Sequence, residues 1–257
     1  MVLFIYDHTF EGLLTAVFDG YFRKTFPDLL LPEGESLPLF YEEAFTVVTD
    51  EEKAGRVWKG LQKKISATAL ASVTQSWLSE LPDIDILLFR YICKAIDAPC
   101  SIETNFADPD VLRLTQIWKK VSYERMRILQ FIRFQKAADG TFFAAFEPMY
   151  NVLPLAIEHF KDRFADQRWL IYDMKRRYGF YYDLHEVTEV TFDGESRESH
   201  LITGMLDQSM MDENEKLFQD LWKTYFKSTC IKERLNPRKH KQDMPVRYWK
   251  YLTEKQK

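Results

Sequence analysis

Glycine is scarce in this 257-residue chain: only 9 occur, too few for glycine-rich phosphate loops, collagen-like repeats or low-complexity linkers. Neither GxGxxG, GxxxxGK[ST] nor HExxH is present, so dinucleotide, P-loop and zincin chemistry lack their parts. Three cysteines cannot build a disulfide framework, and Cys93, Cys100 and Cys230 have no metal-ligand spacing. The five histidines are scattered and form no i, i+4 pair. No metal or cofactor is therefore expected. No apolar run approaches the roughly 18 to 20 residues of a membrane span, and Met1 to Asp7 has no basic region ahead of its short apolar stretch. The expectation is a cytoplasmic protein with no membrane contact.

What is abundant is apolar and aromatic surface, at 46% and 15% of residues. Residues 2–6 read as a buried strand. Phe10, Leu13, Leu14, Val17, Phe18 and Tyr21 then trace the stripe of a packed helix, with Asp7 or Thr9 as its cap. Residues 27–38 read as a proline-rich loop, 39–49 as a strand, and 51 to about 127 as helices broken near Pro82, Pro99 and Pro109. From Ile128 to Phe134 the period drops to two. Asp139-Gly140 signals a hairpin with 141–146 as the returning strand. Asn151 is placed to cap another helix, followed by strands at 168–173, 178–184 and 186–192 and a last helix through Phe218, Leu221, Trp222 and Tyr225. This order predicts an α+β fold: a helical N-terminal half and an antiparallel sheet backed by helices. Within one unit spanning 1–257, a sub-division is expected near 105–110, into a mainly helical 1–107 and an α+β 108–257 with a basic tail.

The net charge of −4 conceals a strong asymmetry. Residues 223–257 hold 11 Lys or Arg against 3 acids, whereas 186–220 hold 10 acids against 2 bases. A second basic stretch, 119–136, sets Lys119, Lys120, Arg125, Arg127, Arg133 and Lys136 against the single acid Glu124. Clustered cations gain from counterion release on a phosphate backbone. The candidate phosphate contacts are Arg125, Arg127, Arg133, Lys227, Lys232, Arg234, Arg238, Lys239, Lys241, Arg247 and Lys250, with Tyr248 and Trp249 as stacking platforms for unpaired bases. A basic tail lying on the acidic 186–220 segment of the same chain would explain the same pattern. Carboxylates suited to proton transfer are sparse. Asp7 and Glu11 flank a strand-to-helix junction, and Glu147 ends a strand, although capping and turn hydrogen bonds account for all three equally well.

Two stretches carry a resemblance. The first runs from Arg127 to Asp183 and includes IRF (132–134), a DG turn, FEP (146–148), NVLPLAIEHF (151–160), RFADQRWLIYD (163–173) and GFYYD (179–183). The second is LWKTYFKSTCIKERLNPRKHKQDMPVRYWKYLTE at 221–254. Together they resemble a bacterial family, built around a domain of unknown function, that is assigned to DNA metabolism or DNA repair. That family is usually encoded beside a radical-SAM protein, and its domain is also found fused to uracil-DNA-glycosylase-like domains. The resemblance implies a DNA-related role and a radical-SAM partner, which would carry the iron–sulfur chemistry. It supplies no catalytic residues. Where relatives often have a histidine ahead of the arginine–methionine pair, this chain has Tyr123-Glu124-Arg125-Met126. The expected function is an accessory DNA-binding protein. A lesion-processing enzyme using carboxylates and a protein–protein adaptor without DNA contact are the alternatives.

Overall fold

A computed structural model describes residues 1–192, 203–229 and 236–255. The chain divides into two compact units, Met1–Ser122 and Tyr123–Lys257, built from helices and two sheets. The α+β class holds.

In the first unit, β1 (Val2–Tyr6) is the middle strand of a parallel sheet ordered β2-β1-β3. Leu3, Phe4 and Tyr6 are fully buried, as a central strand covered on both faces requires. β2 (Leu29–Pro32) lies in the segment read as a loop. Leu30 and Leu31 bury against β1, and an edge strand tolerates the terminal proline. β3 occupies only Glu43–Thr46 of the longer strand expected there. α1 (Phe10–Arg23) connects β1 to β2, and Thr9 rather than Asp7 caps it, its Oγ1 accepting from the Gly12 N–H. Asp50 and Ser66 cap α2 (Glu51–Gln62) and α3 (Ala67–Trp77). α4 (Ile84–Asp97) buries Leu87, Leu88, Tyr91 and Ile92.

α5 (Pro109–Phe131) opens with proline at its first position, and Asp108 accepts from the Asp110 and Val111 N–H groups. The strand expected over 128–134 is absent, because the buried row Leu114, Ile117, Val121, Glu124 and Ile128 continues the helical period to the end of α5. The apparent alternation is the tail of a helix.

The second unit is built on a sheet ordered β4-β5-β6-β7-β8, comprising Gln135–Lys136, Phe142–Phe146, Trp169–Asp173, Tyr178–Tyr182 and Val187–Thr191. The sheet is mixed, not wholly antiparallel: β5 and β6 are parallel because residues 147–168, with α6 (Ile157–Arg163), carry the chain back across. Asn151 does not cap α6, since its side chain accepts from the Tyr178 hydroxyl. Trp169 and Ile171 are fully buried, and Trp169 lies 6.4 Å from Phe160 and 5.4 Å from Tyr182 between ring centroids. α7 (Glu215–Ser228) forms at the expected place, but Leu217, Phe218, Leu221 and Tyr225 are exposed. The tail folds as α8 (Pro237–Asp243) and a 3-10 helix (Val246–Tyr251).

Gly179 is needed where β7 passes β6. A Cβ there would sit 2.5 Å from the Ile171 carbonyl and 3.0 Å from the Tyr172 ring. The Ile171 carbonyl belongs to paired backbone, which cannot move aside cheaply. Gly179→Ala is expected to destabilise the protein by about 1–3 kcal/mol, as overpacking does, read from urea unfolding monitored by tryptophan fluorescence.

Candidate nucleic-acid interface

The lone acid of the basic stretch organises the second unit. Glu124, on the inner face of α5, is 1% exposed. One carboxylate oxygen accepts from the Met149 N–H at 2.8 Å and from the Tyr248 hydroxyl; the other accepts from the Arg247 guanidinium and, at 3.4 Å, from Arg127. Burial, followed by the hydrogen bond to Glu124, pushes the Tyr248 hydroxyl well above its usual range, so it stays protonated and donates. The Arg247 guanidinium also lies 4.7 Å over the Tyr248 ring. A fully buried carboxylate is tolerable only when its lone pairs are filled and its charge is matched, and here both conditions are met.

Two further pairs fix the same segment. Lys250 donates to Glu147, and this contact, despite the partial burial opposing it, holds the Glu147 carboxyl below its usual range. Arg133 reaches Glu254 with Nη2 at 2.7 Å and Nε at 3.3 Å, and Trp222 Nε1 donates to the same carboxylate at 2.9 Å. Burial opposes ionisation of Glu254, but Arg133 and Trp222 outweigh it and the carboxyl lies below its usual range.

Most of the expected phosphate contacts are thus engaged internally. Arg127, Arg133, Arg247 and Lys250 meet carboxylates, Arg125 donates to the Leu155 carbonyl at 2.8 Å, and Lys239 pairs with Asp243 one turn on. Tyr248 is 2% exposed and enclosed, so it offers no face to a base. Trp249 is half-buried: its Nε1 donates to the Met244 carbonyl at 3.1 Å, with the His240 ring 5.8 Å and Lys255 Nζ 5.2 Å from its ring centroid. Arg238 and Lys241 on α8 and Lys227 at the end of α7 are exposed and make no ion pair among the described residues. Lys232 and Arg234 lie outside the described residues. Of the candidate carboxylates, Glu147 anchors the tail, Glu11 lies exposed in the first turn of α1, and Asp7 accepts from Thr9 and Thr49. Glu124 itself escaped the sequence reading, although its isolation among six cations was the available signal.

The profile of a domain of unknown function, DUF4130, matches residues 82–254, about two-thirds of the chain, and the chain belongs to that family. No curated protein matches it significantly. Among solved structures, a pGpG-specific phosphodiesterase, PggH from Vibrio cholerae, superposes with a TM-score of 0.34 at 11% identity, over 89% of this chain and 99% of that one. A superposition at that level assigns neither fold nor activity.

Two outcomes follow from this network. Glu124→Gln keeps the shape but leaves the half-buried Arg247 without its counter-charge; it should destabilise by about 2–3 kcal/mol, under the 3–5 of a fully buried pair, in urea titration. Glu147 and Glu254 have folded-state pKa values below their unfolded ones, so their contribution is complete above the ordinary carboxylate range and is lost as pH falls through it. Asp173, pushed up by burial, works in the opposite sense. The amide hydrogens of residues 236–255 should therefore lose protection, relative to the intrinsic exchange rate at each pH, below about pH 4 to 5, the unperturbed glutamate range; protection factors unchanged from neutral pH would show that these pairs do not hold the tail.

Proposed function

We propose that this chain is an accessory protein of DNA repair or modification, binding DNA without sequence specificity and working with a radical-SAM enzyme. The observation that carries the DNA part is α8, where Arg238, Lys239 and Lys241 lie exposed on one short helix. Lys239 is engaged only by Asp243, a pair whose two side chains are 61% and 58% exposed and which phosphate can displace at little cost. Beside them sits the half-buried Trp249 ring, an edge on which an unpaired base can stack. The interface is narrower than the charge count implies, since the cations closest to the core serve the fold. No base-reading motif accompanies them, which is why specificity is not part of the reading. The partner part is supported by the resemblance at 127–183 and 221–254, and by α7. Leu217, Phe218, Leu221, Trp222 and Tyr225 expose 39–62% of their surface there, beside a groove of about 440 Å³ lined by Phe134, Phe218 and Trp222.

Binding should fall steeply with salt, with a log–log slope of about 0.7–0.9 per phosphate neutralised. Fluorescence anisotropy on single- and double-stranded oligonucleotides measures this. Replacing Arg238, Lys239 and Lys241 together by Glu should abolish binding while leaving the thermal melt within a degree or two, because none of the three is buried. A variant that melts early would identify α8 as internal structure. Absence of binding by the native chain at low salt would favour an adaptor acting on the radical-SAM protein alone, which co-purification with and without DNA distinguishes.

A further inference from the structure

The carboxyl end of β1 in the first unit carries a second arrangement, independent of the basic tail. β1 is the middle strand of a parallel sheet. The chain leaves it through α1 for β2 on one side, while β3 lies on the other. Open parallel sheets bind ligands at the carboxyl ends of the strands on either side of such a reversal. Here the strand ends in Tyr6, Asp7 and His8.

His8 has φ 56°, the left-handed region that a histidine adopts only at a cost. Its side chain is 53% exposed, and its Nε2 stands 3.5 Å from Asp85 Oδ2 on α4, loose for a hydrogen bond but within the range seen in an unliganded site. The Asp85 side chain is only 10% exposed. The Tyr6 hydroxyl faces this carboxyl, and neither it nor Asp85 Oδ1 has a partner beyond the other. Burial, reinforced by Glu35, pushes the Asp85 carboxyl above its usual range, against the pull of Tyr6 and His8. Asp7 is different. It is exposed; desolvation is the largest single influence and raises it, but the hydrogen bonds from Thr9 N–H, Thr9 Oγ1 and Thr49 Oγ1 together outweigh this and hold it below its usual range and ionised. Gly12 keeps this carboxylate in place, since a Cβ there would fall on Asp7 Oδ1. The two carboxylates that adjoin His8, Asp7 beside it in the chain and Asp85 across from its imidazole, are thus driven in opposite directions, the signature of divided acid–base roles. Aromatic rings continue from the imidazole: His8 to Trp77 at 5.6 Å, Trp77 to Phe10 at 5.7 Å and Phe10 to Trp58 at 5.9 Å, with Phe10 and both tryptophans half-buried. Such rings stack planar heteroaromatic groups.

We propose that this end of the sheet is a hydrolytic site for a nucleotide, with His8 as general base and Asp85 as the residue that positions it. The substrate class rests on the DNA reading above; the His8–Asp85 arrangement does not. The base stacks on Trp77. His8 takes a proton from water through Nδ1, the nitrogen turned away from Asp85, and the hydroxide adds to C1′ as the C1′–N bond breaks. The bonding pair stays on the ring nitrogen of the departing base, which recovers the proton from His8, so one water is consumed and no other reactant is needed. Asp7 supplies a fixed negative charge for the cationic character that develops at C1′.

The test uses the full chain with end-labelled single- and double-stranded oligonucleotides containing uracil, hypoxanthine or 3-methyladenine. Released base is measured by chromatography, and abasic sites by alkali cleavage. His8→Asn accepts the left-handed backbone and should fold and bind DNA normally while turnover falls on the order of 10²- to 10⁴-fold, the contribution of a positioned base. Asp85→Asn should lower kcat with KM unchanged, and Asp85→Glu should restore part of it, which a purely structural role would not do. DNA binding with no base released from any of the oligonucleotides overturns the site while leaving the DNA reading intact. Strand cleavage without alkali, or a fully active His8→Asn, overturns it as well.

Discussion

The Glu124 carboxylate is the constraint around which the second unit is assembled. It is a charge placed in the middle of the buried row of α5, where Leu114, Ile117, Val121 and Ile128 around it are apolar. A carboxylate there is unstable unless partners come to it, and they come from the turn after β5 and from the last folded segment of the chain. The 3-10 helix at 246–251 is therefore not an appendage. Its Tyr248 and Arg247 complete a polar centre that α5 began, while Lys250 and Glu254 add outer ties to Glu147 and Arg133. A network of this kind is worth most when complete, because each missing partner leaves a buried group unpaired.

That internal economy changes what the positive charge of the tail means. Eleven cations in the last 35 positions look like a phosphate-binding surface when counted. Once folded, Arg247 and Lys250 neutralise carboxylates, while among the described residues Arg238 and Lys241 on α8 and Lys227 at the end of α7 stay exposed without an ion pair. Among the described residues, Arg247 meets Glu124, Lys250 meets Glu147 and Lys239 meets Asp243, while the tail's own Glu254 takes Arg133. The first unit shows the complementary case. His8, next in the chain to the candidate carboxylate Asp7, acquires a buried aspartate and a row of rings as neighbours.

Local pattern alone determined the α+β class, β1, α1 and its cap, the helices broken at prolines, the hairpin at Asp139-Gly140 and the strands β5 to β8. Each of these rests on short-range physics: period, capping side chains, and turns that only certain residues make. The errors came where two periods agree over a short window. The residues 128–134 alternate, yet also complete a helical row begun at Leu114, and only the burial of that whole row decides between them. The direction of β6 against β5 was likewise invisible, since it depends on where the crossover through α6 lands and not on the residues of either strand. Which charges are free and which are spent, and that Asp85 stands beside His8 across 77 positions of chain, were settled by tertiary packing. Desolvation acts on a side chain through whatever surrounds it, and for these residues the surroundings are supplied by distant segments.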